Sequence, residues 1–412
     1  MFTAADAAAV DAMEADATVE TVAEIAVVTK ATADAVAKVA ADAIKRMKTA
    51  VVILNWNTKG FLEDFLPGLV SSVEKVDGAE VVVADNASTD GSIEMMAEKF
   101  PEVRALVFEK NLGFTGGYNR AFKALDSEYF LLINSDIEVT EGWLRPLVDW
   151  MDEHPDCGAC APKLHSWQEK EKFEYAGAAG GYIDRFGYPL CRGRVLKMLE
   201  DDYGQYDTPK NVFWATGACL LVRSTVFREL GGLDERFFAH MEEIDLCWRM
   251  QLHGWKVTIV PESVVYHVGG GTLPPTSAFK LFLNFRNNML MLSNNLAKTL
   301  ALKEFISGTD IKKAAKTGLK RSRIRITMRK VLDLMSAFAY LITFKPQCFK
   351  AVLNARKECK HLDKAISLVE LEAYLQRYGT KAAVHGIYNR WIILRALLKG
   401  KRIFNEIESE VI

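Results

Sequence analysis

The sequence predicts an α/β protein, with a mainly parallel sheet covered by helices on both faces and a helical, basic C-terminal region. Three observations lead there. Between residue 49 and about 164, short apolar runs alternate with helix-like segments, the pattern of βαβ units. Each apolar run ends in a cluster of short polar residues, where open sheets of this kind bind their ligands. Charge is also split along the 412 residues: 26 Lys+Arg against 43 Asp+Glu over 1–271, then 26 against 10 over 272–412. The overall net charge of -1 hides that division and argues against a nucleic-acid binder. The basic end calls for a partner of its own.

Residues 1–46 contain 17 Ala and no Gly, Pro or Trp, so they read as an extension, disordered or helical, with little to bury. The composition changes at Met47. Strands are expected at 50–54, 80–84, 103–108 and 129–133, and helices at 59–74, 91–99 and 116–125. Residues 165–210 are rich in Gly, Tyr and charge and read as a long flap. A second ordered block follows, with a strand over 212–222, a helix near 243–253 and a strand over 256–260. From 277 onward the chain reads as amphipathic helix. The division is therefore an extension at 1–46, an α/β domain at 47–276 and a helical region at 277–412.

Seven cysteines without a repeating pattern suggest a reducing compartment. Cys157 and Cys160 form one CxxC but lack the second pair of a zinc ribbon, so they are expected to be structural or redox-inert. No positively charged, apolar leader opens the sequence, and no run reaches the ~18 apolar residues that span a bilayer. The expectation is a cytoplasmic protein, peripheral on the inner face of the cell membrane.

The polar clusters come in order. Asn55, Trp56 and Asn57 follow the first strand. Asp85-Asn86-Ala87-Ser88-Thr89-Asp90 follows the second, where Asp85 is placed to accept from a base or ribose and Ser88 and Asp90 to cap a helix. Asn111-Leu112-Gly113-Phe114-Thr115-Gly116-Gly117-Tyr118-Asn119 follows the third; its glycines permit close approach at a helix start, where N–H groups suit phosphate. Asn134-Ser135-Asp136 follows the fourth, and Asp136 is placed to hold a divalent cation bridging a diphosphate. Glu242-Glu243-Ile244-Asp245 sets three carboxylates at a helix start, and carboxylates this close raise one another's pKa toward that of a general base. His267 ends a strand-like run before Gly269-Gly270-Gly271, and both a structural and a ligand role are open for it.

This ordered set resembles the family 2 glycosyltransferases of the rhamnosyltransferase-like, bacterial surface-polysaccharide type, over roughly 49–295. The segments VVILNWNT, DNASTDGS, NLGFTGGYN, NSD and FFAHMEEIDLCWRMQLHGW are similar to that family's successive motifs. The resemblance implies the GT-A fold. It also implies an inverting transfer from a nucleotide-diphosphate sugar, dTDP-rhamnose among the candidates, to a saccharide or polyprenyl-linked saccharide. Donor contacts would fall to Asn55, Asn57, Asp85, Ser88, Asp90, Asn111, Gly113, Phe114, Gly117, Asn119 and Asn134. By the same resemblance Asp136 and His267 would hold Mg²⁺ or Mn²⁺, Glu243 would take the acceptor proton, and Glu242 and Asp245 would stand beside it. Two positions depart from the family pattern: Asn134 replaces the first Asp of the metal motif, and Glu242-Glu243 replaces a Glu-Asp pair. A nucleotidyltransferase releasing pyrophosphate, or a catalytically weak nucleotide-sugar scaffold, are the alternative readings.

In the basic tail, Lys320, Arg321, Arg323, Arg325, Arg329 and Lys330 run into an apolar stretch at 331–344. At about 14 residues it is too short to span a bilayer but suited to lying in its interface. The expected partner is an anionic membrane surface; the competing reading is a helical bundle packed on the catalytic domain.

Overall fold

The computed structural model describes residues 47–269 and 277–411, so the extension at 1–46 and two of the three glycines after His267 lie outside the described residues. Residues 48–412 form one compact unit. The chain opens with β1 (Met47–Asn55), whose Ala-Val-Val-Ile run is buried on both faces, as a central strand requires. Helix α1 (Lys59–Val73) buries Leu62, Leu66, Leu69 and Val73, one stripe at helical spacing. The alternation continues through β2 (Ala79–Asp85), α2 (Ser92–Lys99), β3 (Arg104–Val107), α3 (Gly113–Lys123) and β4 (Ser127–Ile133). Next come β5 (Ile137–Val139), α4 (Leu144–Glu153) and β6 (Cys157–Ser166). Strands β1, β2 and β3 are parallel neighbours, and the register sets Asn55 opposite Asp85 at their carboxyl ends.

The segment expected as a flap is a small antiparallel sheet of β7 (Gly181–Asp184), β8 (Pro189–Cys191), β9 (Arg194–Val195) and β10 (Met198–Leu199). Short strands broken by turns gave it no readable period. The buried Lys163 on β6 ties down the turn after β10 through ion pairs with Asp202 at 2.5 Å and Asp207 at 2.6 Å.

The single strand expected over 212–222 is instead two, β11 (Lys210–Asn211) and β12 (Cys219–Arg223). Between them the chain leaves the large sheet, and Phe213 and Trp214 donate to the Gly181 carbonyl. A Cβ on Gly181 would lie 1.9 Å from the Trp214 ring, so only glycine fits that crossing. After α5 (Ser224–Glu229), a 3₁₀ turn (Glu235–Phe237) and α6 (Glu242–Leu252) comes β13 (Lys256–His267). It joins two runs that the sequence presents separately, with a register irregularity between Ile259 and Val264.

The large sheet has the order β11-β13-β6-β12-β4-β1-β2-β3, with β5 paired to β13. Its second half is mixed: β12 runs antiparallel to both β4 and β6, while β13 is parallel to β6. One face packs against α1 and α4 through Leu62, Leu66, Trp143, Leu147 and Met151. All seven cysteines are free, and burial raises the Cys157 and Cys160 thiols, in keeping with an inert CxxC.

The C-terminal region is α7 (Ala278–Ile306), α8 (Ile311–Ile342), α9 (Pro346–Leu362), α10 (Leu368–Tyr378), β14 (Ile387–Tyr388), α11 (Ile392–Lys399) and α12 (Ile403–Glu410). It is helical as expected except for β14, which adds to the small sheet beside β7, parallel to it. No helix among the described residues is long and apolar enough to cross a membrane.

Candidate active site

The carboxyl ends of β1, β2, β4 and β13 gather the polar clusters. At the first two, Asn55 donates to Asp85 Oδ1 at 2.7 Å and to Ser88 Oγ at 3.0 Å. Asp85 Oδ2 accepts from the Ser88 N–H at 2.9 Å. Asn57, in the left-handed region at φ 55°, accepts from Thr89 N–H at 2.7 Å, and Asp90 accepts from Lys59 N–H at 2.9 Å. The first five residues expected as donor contacts therefore form one laced loop, with Asn55 and Asp85 buried beneath it.

The glycine-rich turn behaves differently from expectation. The N–H groups of Phe114 and Thr115, at the start of α3, both donate to the Phe238 carbonyl, at 2.7 and 3.2 Å. A Cβ on Gly113 would meet the Phe238 ring at 2.4 Å, and one on Gly117 would meet Leu54 at 2.6 Å. Close packing on the 238 loop and on β1 is thus what these glycines serve here, and the first α3 donors are already satisfied. Asn111 accepts from Gly113 N–H at 2.8 Å and from Asn86, which braces the same turn. Asn119 is turned to the loop before the 3₁₀ turn, donating to the Leu233 carbonyl at 2.8 Å and accepting from Leu233 N–H at 2.9 Å. Its expected donor contact gives way to a structural clamp.

At the end of β4, Asn134 N–H donates to the Ala218 carbonyl at 2.9 Å. Asp136 and His267 meet: Nε2 is 3.2 Å from Asp136 Oδ1, and Nδ1 is 3.4 Å from Glu174 Oε1. All three side chains are buried. Burial disfavours the imidazolium, but the two carboxylates outweigh it and lift His267 to about 10. Burial likewise pushes Asp136 up, and the His267 contact more than reverses that. Glu174 escaped the sequence reading because it lies in the aperiodic segment, with no strand end to mark it.

The second acidic centre opens α6. Burial lifts Glu243 to about 7 against the pull of the helix-start N–H groups, while burial and the Glu243 charge push Glu242 well above the usual carboxylate range. One oxygen of each, Oε2, is buried without a hydrogen-bond partner among the described residues. A short path through the backbone leads from one centre toward the other: Gly217, next to the residue that Asn134 bonds, sits where a Cβ would be 3.5 Å from Glu243 Cβ and 3.3 Å from Phe114 Cζ. Asp245 faces elsewhere. It is fully buried and accepts from Arg249 at 2.7 Å, Asn294 at 3.0 Å and Asn295 at 2.7 Å, so a direct catalytic part is replaced by anchoring α6 on α7.

The loop entering α6 is strained. Phe238, His240 and Met241 have φ of 62°, 71° and 73°, each costing about 1–3 kcal/mol for a side-chain-bearing residue. Asn287, fully buried on α7, holds it, with Nδ2 2.9 Å from the Phe237 carbonyl and 2.7 Å from those of Ala239 and His240. Arg286 donates to the Phe237 carbonyl at 2.7 Å. The readable signal is polar: Arg286-Asn287-Asn288 stands between Phe285 and the apolar run Met289-Leu290-Met291-Leu292. Asn287→Ala should lower stability by about 2–3 kcal/mol, since it strands buried carbonyls, and should reduce transfer by more than it reduces donor binding. Thermal melting and steady-state kinetics check this; a variant with unchanged melting leaves the loop held by other contacts.

Residues 50–231 match the family model for Glycosyl transferase family 2. Over that stretch the chain is similar to the family 2 glycosyltransferases. Among relatives of this glycosyltransferase, N-acetylglucosaminyl-diphospho-decaprenol L-rhamnosyltransferase of Mycobacterium tuberculosis is 28% identical over 240 residues, 53% of this chain and 75% of that one. The low-salt glycan biosynthesis hexosyltransferase Agl10 of Haloferax volcanii is 23% identical over 266 residues, 61% of this chain and 77% of its own. Among solved structures, GalNAc-T7 with UDP, GalNAc and Mn²⁺ aligns with a TM-score of 0.46 at 15% identity, over 68% of this chain and 55% of that one.

Proposed function

We propose that this glycosyltransferase moves a sugar, with inversion, from a nucleotide-diphosphate sugar to a hydroxyl of a polyprenyl-linked saccharide, with a divalent cation held by Asp136 and His267. The observation that carries the reading is the meeting of Asp136, His267 and Glu174 at the ends of β4 and β13, with the Glu242–Glu243 pair packed against Gly217 on the segment that Asn134 bonds. Glu243, with a buried oxygen free to accept and a pKa lifted to about 7, suits removal of a proton from an attacking hydroxyl near neutral pH. The name of the M. tuberculosis relative favours a rhamnosyl donor, dTDP-rhamnose in the first instance, and a lipid-linked acceptor.

The residues fit a metal of the Mg²⁺ or Mn²⁺ kind. Asp136 and His267, paired at 3.2 Å, would hold such an ion with a carboxylate oxygen and, once the ring gives up its proton, an imidazole nitrogen. Glu174 on the other ring nitrogen would orient the imidazole, as carboxylates behind metal-bound histidines do. No cluster of three or more such side chains forms a metal cage among the described residues, so the remaining ligands would come from the donor diphosphate and solvent. When bound, the ion supplies charge neutralisation of the departing diphosphate. Asn55 and Asp85 hold the nucleotide loop, and Glu243 accepts the hydroxyl proton.

The test is transfer from a panel of nucleotide sugars to a polyprenyl-diphosphate-linked N-acetylglucosamine, with the anomeric configuration of the product read by NMR. A disaccharide-lipid of inverted configuration supports the reading; pyrophosphate release, or donor binding without turnover of any sugar, overturns it. Glu174→Gln should weaken Mn²⁺ binding about 10–100-fold, read by calorimetry or Mn²⁺ paramagnetic resonance without any turnover. An unchanged affinity removes Glu174 from the metal's surroundings.

A further inference from the structure

Helix α8 has an apolar stripe that no other part of the described residues covers. Ile324, Met328, Val331, Met335, Phe338 and Ile342 follow one another at alternating steps of four and three, which places them on one face. All are exposed, Val331 at 55%, Met335 at 60%, Phe338 at 53% and Ile342 at 75%. Their outward direction is fixed by the opposite face. Gly318 lies so close to α7 that a Cβ would sit 2.5 Å from Ala301 N, and Arg329 is buried, donating to Asp333 at 2.8 Å and to the Phe186 carbonyl at 2.9 Å.

The same stripe continues toward the N-terminus as Lys313 and Lys320, both exposed, with Arg323 and Lys330 exposed along its flank. Over 311–342 there are nine Lys and Arg against a single acid, Asp333, which is buried in its pair with Arg329. Beyond the helix end, Phe344 is 93% exposed beside the exposed Lys345.

We propose that this face of α8 docks on an anionic membrane surface, the apolar turns entering the interface and the basic turns meeting lipid headgroups. The charge distribution selects that occupant over a second copy of the chain. A parallel pairing of two α8 helices would oppose basic turns to basic turns, and an antiparallel one would set basic turns on apolar ones. An anionic bilayer satisfies both halves, because segregated apolar and cationic surface is what binds such interfaces. The inference stands on α8 alone and does not depend on which acceptor the site uses, though a lipid-linked acceptor would be met at the same surface.

The full chain is tested by flotation with vesicles of equal phosphatidylcholine and phosphatidylglycerol, and with phosphatidylcholine alone, at low and high salt. Wild type should float with the anionic vesicles at low salt and be released at high salt. Met335→Glu combined with Phe338→Glu, and separately Lys313→Glu combined with Lys320→Glu, should each cut the bound fraction at least about tenfold. Both pairs are exposed, so melting temperature and donor hydrolysis should match wild type, which separates a failure of docking from a failure of the transferase reading. Wild type that ignores anionic vesicles at low salt, or variants that float like wild type, overturns the proposal. So does a wild-type dimer in light scattering that Met335→Glu with Phe338→Glu dissociates while vesicles go unbound, which would give the stripe to a second copy.

Discussion

Glu243→Gln is expected to lower the rate of transfer by about 10²-fold or more while donor binding stays within about twofold of wild type. The substitution keeps the shape at the start of α6 and removes only the proton-accepting oxygen. Its neighbour gives the internal control. Burial and the Glu243 charge push Glu242 well above the usual carboxylate range, which disfavours its proton-accepting form, and Glu242→Gln should cost much less. A larger loss in Glu242→Gln than in Glu243→Gln moves the base one residue back. Wild-type transfer should rise with pH through about 7 as Glu243 ionises, and Glu243→Gln should flatten that limb. Stability should move the other way. Glu243 holds its proton to a higher pH folded than unfolded, about 7 against 4.5, so the folded state binds more protons in that window and loses stability as pH rises across it. Melting between about pH 5 and about pH 8 should therefore fall less in Glu243→Gln than in wild type.

Asp136→Ala is the second large effect expected, a loss of about 10³-fold in transfer, corresponding to about 4 kcal/mol of charge stabilisation at the leaving diphosphate. Unlike Glu243→Gln, it should also abolish the metal dependence of donor binding. It removes the carboxylate 3.2 Å from His267 Nε2 and leaves His267 with Glu174 alone. If Asp136→Ala binds donor and turns it over as wild type does, with metal still required, the cation is held elsewhere.

Much of this arrangement was legible in the sequence, and where it was not the reason is physical. The strands β1, β2 and β4 announce themselves because both their faces are buried, leaving continuous apolar runs with polar ends. That is why Asn55, Asp85 and Asp136 could be placed at strand ends, where the structure has them. The glycine turn misled because glycine permits two different things: a ligand's approach and another chain segment's approach. Gly113 and Gly117 show the second, toward Phe238 and Leu54. A carboxylate or amide near a cleft reads the same whether it faces the cleft or bonds to the elements behind it, as Asp245 and Asn119 do. Glu174 and Asn287 stayed hidden for another reason. Each acts across a long sequence separation, Glu174 on His267 and Asn287 on a loop about 50 residues earlier, and no local period reports such contacts.

The two residues of β14 carry a consequence for how the molecule comes into being. Ile387 pairs with Ile183 and Tyr388 with Asp184, some 200 positions apart, so the small sheet is complete only after the chain has been made past residue 388. Until then β7 keeps an open edge, the kind of surface that recruits stray strands. A nascent chain stalled short of residue 387 should therefore be protease-sensitive through 181–199 even with its Rossmann-like half, β1 to β4, already formed. Synthesis past residue 388 should convert 181–199 to resistance in one step, making a distant segment the timer of assembly for the small sheet.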